Sequence, residues 1–256
     1  MPRIQKGAIP SPNIWNTPGV YETENRAVDP DGVADRRLRE LRSWDGATIL
    51  DVGCGTGYHL PAYAAHARAV IGVEPHGDLA AAARRRCAAL PGVTVHTATA
   101  QALPLPDRSV DVAVARWAYF FGPGCEPGLA ELARVLRPGG AAFVIDLDAT
   151  RGSFGRWFRR TVPQYSPERV ETFWARQGWH REELDLRMSF ATRADLEAVL
   201  RIEFSPEVAE AAAAETPGLD LPYPNVLRWR FFPSDVTLSA DAGMVPEAES
   251  RRLIVP

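Results

Sequence analysis

The chain has 256 residues, 46% of them apolar and 24% charged, which is enough to build one large α/β core. Its formal net charge is −3 and its only lysine is Lys6, so the sequence shows neither a basic nucleic-acid tail nor a polybasic membrane patch. The three cysteines are widely spaced and form no C-x-x-C pair, which argues against a disulfide framework and a structural zinc site, and no metal is predicted.

The first part of the chain, residues 1–45, is predicted to be a lid with a helical extension. An irregular segment that contains Trp15 and Tyr21 is followed by an amphipathic pattern typical of a helix over 31–43. The start of the chain has no apolar signal segment, and no later run approaches the roughly 20 apolar residues that span a bilayer. We therefore expect a cytoplasmic protein with no membrane contact.

The middle of the chain, residues 46–148, alternates short β-branched runs with longer stretches rich in alanine and arginine. This is the pattern of βαβ units around a parallel sheet. Strands are predicted at 47–52, 69–74, 93–97, 110–116 and 140–147, and helices at 58–66, 78–90 and 127–137. Right-handed crossovers would make the sheet doubly wound and Rossmann-like.

Residues 149–233 are predicted to form cap helices and the closing strands of the same domain, followed by a C-terminal tail over 234–256. A serine before a proline marks helix starts at Pro167 and Pro206, because serine caps a helix and proline suits its first turn. Alternating runs at 183–190 and 225–232 complete a mostly parallel, seven-stranded sheet with helices on both faces.

A glycine turn follows the first predicted strand, over Gly53-Cys54-Gly55-Thr56-Gly57. Glycine allows positive φ and lets a ligand approach the backbone, and the N-terminus of the next helix can hold an anion. An ordinary strand-to-helix turn is the alternative interpretation.

Two kinds of phosphate site do not match this turn. A dinucleotide fingerprint needs glycine where Tyr58 stands. A nucleotide P-loop needs a Gly-Lys-Ser/Thr ending, whereas the only lysine of this chain lies far upstream. Glu74 ends the second strand, where an acidic side chain can accept hydrogen bonds from ribose hydroxyls. An adenosine ligand without a pyrophosphate fits these observations.

Four segments together resemble the class I S-adenosylmethionine-dependent methyltransferases, in particular the ubiquinone and menaquinone biosynthesis type. They are residues 50–57 (LDVGCGTG), 72–75 (GVEP), 102–107 (ALPLPD) and 134–140 (RVLRPGG). The resemblance covers about residues 46–148 and implies S-adenosylmethionine as cofactor, with S-adenosylhomocysteine as its product.

The resemblance also implies which residues bind the cofactor. Gly53, Cys54 and Gly55 would line its methionine end, with Asp51 organising the loop. Glu74 would hold the ribose, Pro75 and His76 would flank the adenine, and the backbone carbonyl of Arg116 would meet the amino group. An N-terminal aromatic, Tyr21, would close over the cofactor.

The loop Thr99-Ala100-Gln101 is expected to meet the adenine. The family usually carries an aspartate where this chain has Thr99, so the charge-assisted part of that hydrogen bond is lost. The contact should be weaker than in the family.

The acceptor is expected beside four aromatic residues, Trp15, Trp117, Tyr119 and Trp157, although core packing is the competing interpretation. Aromatic faces near a sulfonium are electrostatically favourable. The arginine and aromatic residues of the segment 154–160 are candidates to hold an acidic or aromatic substrate.

His59, His96, His180 and Tyr165 are candidate general bases, and sequence alone does not choose among them.

The implied function is transfer of a methyl group to an oxygen, nitrogen or carbon nucleophile of a small molecule. One alternative is an enzyme of the same scaffold that uses the cofactor for a decarboxylation or rearrangement, and another is a non-catalytic cofactor-binding subunit. The negative charge disfavours nucleic acid as substrate. The oligomeric state is left open, with a homodimer as one option.

Overall fold

Seven strands form one sheet in the computed structural model, which describes residues 4–119 and 122–232. The strands are β1 (Thr48–Val52), β2 (Ala69–Val73), β3 (Val93–His96), β4 (Val110–Arg116), β5 (Leu136–Leu147), β6 (His180–Ser189) and β7 (Asp220–Phe232). Their order is β3-β2-β1-β4-β5-β7-β6, with β1 to β5 parallel and β7 antiparallel to both of its neighbours. The predicted Rossmann-like fold is confirmed.

Ten helices accompany the sheet in the described part of the chain. They are α1 (Pro12–Asn16), α2 (Pro18–Ala27), α3 (Val33–Leu41), α4 (Leu60–Ala64), α5 (Gly77–Arg86), α6 (Glu126–Val135), α7 (Gly152–Thr161), α8 (Pro167–Arg176), α9 (Arg193–Glu203) and α10 (Pro206–Glu215). None of them combines the length and the hydrophobicity that a bilayer crossing requires.

The strands of the sheet centre are hydrophobic on both faces. All five residues of β1 are buried, because helices cover the sheet on either side. Val52 at the end of β1 pairs with Ala115 next to the end of β4, so the carboxyl ends of these central strands lie side by side. Ligands of open α/β sheets bind at this edge.

Several elements differ from the sequence prediction. The irregular segment before residue 31 contains α1 and α2, and neither α7 nor α9 was predicted. The helix predicted over 127–137 ends at Val135, and β5 begins at once with a register irregularity against β4. Ser166 caps α8 through its side chain as predicted, whereas the side chain of Ser205 makes no capping hydrogen bond.

The N-terminal helices lie over the carboxyl edge of the sheet. An isolated bridge between Val28 and Met188 ties the end of α2 to β6, and α2 packs against α9. Both α1 and α2 begin with a proline, which suits a first helical turn because its missing N–H needs no partner there. The predicted tail at 234–256 lies outside the described residues, and the division of the chain at residues 45 and 148 stays a prediction.

Candidate functional site

The glycine turn after β1 has the backbone geometry that only glycine adopts without strain. Gly53, Gly55 and Gly57 have φ values of 75°, 54° and 76°. The backbone amides of Gly53 and Cys54 both donate to the carbonyl of Val73, at 2.8 and 3.0 Å, which fixes the turn beside β2. A Cβ on Gly53 would stand 2.6 Å from the Cβ of Ala118, so the turn and the loop after β4 are in close contact.

Glu74 links the glycine turn to the end of β2. Its Oε2 accepts from the Gly55 amide at 3.0 Å and its Oε1 from the His76 amide at 2.8 Å. Burial raises the pKa of Glu74 to about 7. Each carboxylate oxygen has a second acceptor position, so the side chain can still receive two ribose hydroxyls.

The turn and Glu74 form one wall of a cavity that we call the cofactor cavity. With its opening to solvent it holds about 1090 Å³ of empty space. Its lining includes eleven of the twelve predicted cofactor residues: Tyr21, Asp51, Gly53, Cys54, Gly55, Glu74, Pro75, Thr99, Ala100, Gln101 and Arg116.

His76 is the predicted cofactor residue that does not line this cavity. It is buried, and the ring of Trp15 lies against its imidazole with the centroids 5.2 Å apart. Helix α1 thus places Trp15, which lines the cofactor cavity, beside His76. The expected contact of His76 with the adenine stays a prediction.

Tyr119, predicted beside the acceptor, lines the cofactor cavity. A Cβ on Gly128 would meet Tyr119 Cε1 at 2.8 Å and Ala100 Cβ at 3.4 Å, which places the phenol beside the predicted adenine loop. Its Oη is buried and has no hydrogen-bond partner among residues 4–119 and 122–232. An unpartnered phenol, a glycine turn and Glu74 together fit an adenosine ligand.

A buried ionic cluster lies at the end of β4. The Arg116 guanidinium donates from Nε to Tyr63 Oη at 3.0 Å and from its other end to Asp35. Burial raises the pKa of Asp51 to about 7, and the charge of Arg116 partly opposes that shift. The sequence predicted a role for the Arg116 backbone, whereas its side chain supports the floor of the cavity.

The N-terminal helices close one side of the cofactor cavity. Glu22 of α2 accepts hydrogen bonds from Thr56 of the glycine turn and from Arg86 Nη2, the latter at 2.7 Å. This contact holds α2 against the turn, with Trp15 and Tyr21 facing the cavity. Glu22 was not predicted as a site residue, since nothing in its local sequence distinguishes it from a solvated helix position.

A second cavity, which we call the inner cavity, adjoins the first and holds about 790 Å³ of empty space with its opening. Ser11, Tyr21, Asn25 and Trp117 line both cavities. Trp117 has a φ of 50°, unusual for a large side chain, and its Nε1 donates to the buried Asn225 Oδ1 at 2.9 Å. Strain of this kind concentrates at functional sites.

Trp157, predicted to contact the acceptor, lines neither of the two cavities. Its side chain is buried, packs against Phe204 at 5.9 Å between ring centroids and donates from Nε1 to Glu215 at 3.1 Å. Phe154 and Phe158 of the same helix line the inner cavity instead. The packing of α7 therefore decides which of its aromatic residues faces the cavity.

Of the four candidate general bases, His59 is the one that lines a cavity within the described residues. Burial and the nearby Arg116 charge lower the pKa of His59 well below its ordinary value, so the imidazole is neutral. His180 stacks on Trp229 at 5.2 Å, and Tyr165 lies against Phe158 at 5.2 Å, so both have packing roles.

Residues 49–140 match the family model described as a methyltransferase domain. This segment of the chain is therefore similar to methyltransferase domains. The chain is 42% identical over 110 residues to an uncharacterized methyltransferase from Mycobacterium ulcerans, a match covering 43% of this chain and 42% of that protein. It is 29% identical over 142 residues to the ubiquinone/menaquinone biosynthesis C-methyltransferase from Geobacter sulfurreducens, covering 51% of this chain and 54% of that protein.

The fold of the chain is also seen in solved structures. A SAM-dependent methyltransferase from Aquifex aeolicus superposes with a TM-score of 0.51 at 22% identity, covering 64% of this chain and 88% of that one. The chain spans 42% of the length of the first curated relatives that it matches. Most of the inner cavity, including its residues on α1, α2, α7, α9 and β7, lies outside residues 49–140.

Proposed function

We propose that this chain transfers a methyl group from S-adenosylmethionine to a small-molecule acceptor. The observation that carries the proposal is that two cavities adjoin at the carboxyl edge of the sheet and share Tyr21 and Trp117. One has the features of an adenosine site, and the other opens beside it. A methyltransferase needs this arrangement, because donor and nucleophile must meet in line.

Residues of the cofactor cavity would hold the donor as the resemblance implies. The Glu74 carboxylate would accept from the ribose hydroxyls, and the turn at Gly53 to Gly55 would bind the methionine end. Thr99, Ala100 and Gln101 would meet the adenine, without the charge of the family's usual aspartate.

When bound, S-adenosylmethionine supplies a methyl group already activated by a sulfonium. The residues of this chain therefore have to orient the acceptor and exclude water. Positioning of this kind contributes about 7–11 kcal/mol in well-oriented reactions. Helices α1 and α2 would exclude water from the cofactor cavity, because Glu22 holds α2 against the glycine turn at Thr56.

The size of the inner cavity and the net charge of the protein favour a small acceptor. The inner cavity is bounded by α2, α7 and α9, whose side chains line it, and has room for a compact organic molecule. The net charge of −3 does not favour a nucleic-acid backbone. We also propose the cytoplasm as its location, as the sequence indicates.

The test has two stages. Calorimetric titration of the purified protein should show binding of S-adenosylhomocysteine, and thermal unfolding should show a rise in melting temperature with this ligand. NAD should give neither response. Tritium from methyl-labelled S-adenosylmethionine should then appear in small organic molecules of an extract from the encoding organism. Binding of NAD alone would refute the cofactor assignment, and label found only in precipitated polymer would refute the small-molecule acceptor.

A further inference from the structure

The charged residues that line the inner cavity are all acidic in the part of the chain that the structure describes. Glu24 lies on α2, Asp146 on β5 and Glu203 at the last position of α9. Three separate elements therefore direct carboxylates at one space, and the described residues of its lining include no lysine, arginine or histidine.

Glu24 is buried to 5% exposure, and its Oε2 has no hydrogen-bond partner among the described residues. Burial and the neighbouring Glu203 raise the pKa of Glu24 well above its ordinary value. A buried carboxylate oxygen without a partner is costly, because desolvation is not compensated. The cost falls if a hydrogen-bond donor occupies the cavity.

Asp146 of β5 shows the same feature. It is 2% exposed, and its Oδ2 also has no hydrogen-bond partner in the described ranges. The Arg228 guanidinium lies 3.8 Å from it, beyond hydrogen-bond distance, and donates to Glu171 at 2.6 Å instead.

Glu203 is held in place by Asn13, whose side-chain amide donates to its Oε1. It ends α9, where the helix dipole disfavours a negative charge, and burial raises the pKa of Glu203 to about 7. Two carboxylates that share a desolvated space need a proton or a cation between them.

The arginines of the cap do not supply that cation. Arg156 pairs with Glu215, and Arg159 donates to the backbone carbonyl of Ala149. Sequence analysis allowed an acidic substrate held by these arginines, but neither lines the inner cavity. Arg228 lies near Asp146, so beside Glu24 and Glu203 the charge is balanced by a shared proton or by a cationic ligand.

Aromatic rings form the remaining wall. Phe154 and Tyr223 lie 4.7 Å apart between centroids in an edge-on arrangement, and Trp117 lies 6.0 Å from Tyr223. Aromatic faces attract cations and cover apolar groups. The wall thus suits an organic cation with an apolar body better than a hydrated metal ion.

We propose that the inner cavity binds methyl acceptors that carry a protonated alkylamine. Glu24 and Glu203 accept hydrogen bonds from the ammonium group, and Trp117, Phe154 and Tyr223 lie against the apolar part of the molecule. The proposal rests on the proposed function in that it treats the ligand of this cavity as the methyl acceptor. Charge-assisted hydrogen bonds to two carboxylates would make the ammonium the main determinant of selection.

Three probes of matched shape test this assignment: 2-phenylethylamine, 2-phenylethanol and phenylacetate. Each is titrated calorimetrically into the full chain saturated with S-adenosylhomocysteine. The amine should bind about tenfold or more tightly than the alcohol, since one charged hydrogen bond is sufficient for that ratio, and phenylacetate should bind weakest. Equal affinity for amine and alcohol would overturn the proposal, and it is the result expected if Glu24 and Glu203 simply share a proton.

Matched variants locate the effect. Glu24→Gln and Glu203→Gln should each reduce the preference for the amine to about threefold or less while leaving affinity for S-adenosylhomocysteine unchanged. Glu207→Gln, an exposed position on α10, removes the same charge outside both cavities and should keep the full preference. A preference that survives in both cavity variants would overturn the assignment.

Failure of the proposed function is distinguishable from failure of the amine assignment. If the protein binds no S-adenosylhomocysteine, the cofactor assignment is wrong, and the three probes are then titrated into the protein alone. A preference for the amine that depends on Glu24 and Glu203 would still support the inner cavity as an amine site, and its absence would overturn that too.

Discussion

The cofactor cavity and the inner cavity meet at Tyr21 and Trp117 but are built from different parts of the polypeptide. The first is lined mainly by residues of the strand ends, the glycine turn and the loops that follow β2, β3 and β4. The second is lined by residues of α1, α2, α7, α9, β5 and β7. A site built from strand ends and short motifs depends on their local conformation, whereas a site built from many elements depends on how those elements pack.

The electrostatics of the two cavities differ in the same way. In the cofactor cavity, Glu74 accepts from two backbone amides, and Asp51 lies near the positive charge of Arg116. In the inner cavity, Glu24 and Asp146 each keep an oxygen without a hydrogen-bond partner among the described residues. The first site has its own compensation for buried charge, and the second depends on its ligand for it.

Replacing Gly53 with alanine tests whether the cofactor cavity depends on backbone conformation. The new Cβ would stand 2.6 Å from Ala118 Cβ at a φ of 75°, so the turn and the loop after β4 have to separate. We expect affinity for S-adenosylhomocysteine to fall by about a hundredfold or more, as for other strained substitutions at positive φ. Calorimetric titration measures the loss.

Gly19→Ala is the matched control for that change. Gly19 lies in α2 without a positive φ, and a methyl group added there would meet no described atom within 4 Å, so affinity should be unchanged. Normal affinity in a folded Gly53→Ala protein would refute the close-approach argument.

Replacing Glu74 with alanine tests the ribose contact. The loss should be about 1.5–3 kcal/mol of cofactor binding free energy, the usual value for hydrogen bonds to a charged group. Thr99→Ala should cost only about 0.5–1.5 kcal/mol, because its hydrogen bond is neutral. The reverse order in titrations of the two variants would show that the adenine loop dominates recognition.

Replacing Tyr21 with alanine tests the junction of the two cavities. Tyr21 lines both, so affinity for S-adenosylhomocysteine and for 2-phenylethylamine should each fall, by about 1 kcal/mol for lost contacts. Tyr58→Ala is the matched variant, since Tyr58 lines only the cofactor cavity, and it should weaken only the first ligand. If Tyr21→Ala lowers the melting temperature but leaves the affinity for both ligands unchanged, Tyr21 has a packing role and does not form a lid.

A further expected effect concerns pH. The pKa of Glu203 is raised to about 7, so the folded state binds a proton more tightly than the unfolded state and loses stability as pH rises from about 5 to 8. Glu203→Gln removes this loss, so the ligand-free variant should gain about 2–3 kcal/mol relative to the original protein between pH 5 and pH 8. Urea unfolding at both pH values measures the gain in unfolding free energy. A gain of the same size in Glu207→Gln would show that the effect comes from the net charge of the protein and not from Glu203.

The sequence by itself determined the parallel sheet, the glycine turn and the positions of Asp51, Glu74 and Arg116. These features depend on residues close together in the chain, whose strand periodicity and glycine conformations follow from local geometry. The side of the sheet that carries the site follows as well, because parallel strands end at a common edge. Eleven of the twelve residues that the resemblance assigns to the cofactor line one cavity, and their roles stay a prediction.

Only the tertiary structure decided the contacts between residues far apart in the chain. It placed Trp15 against His76, turned Trp157 into the core and brought Glu203 near Glu24. A helix pattern shows which face is apolar but not which distant helix covers it, so an acidic residue on a predicted helix cannot be distinguished from a solvated one. The acidic inner cavity exists because α2 packs against α9, and that packing is set by the whole domain rather than by either segment.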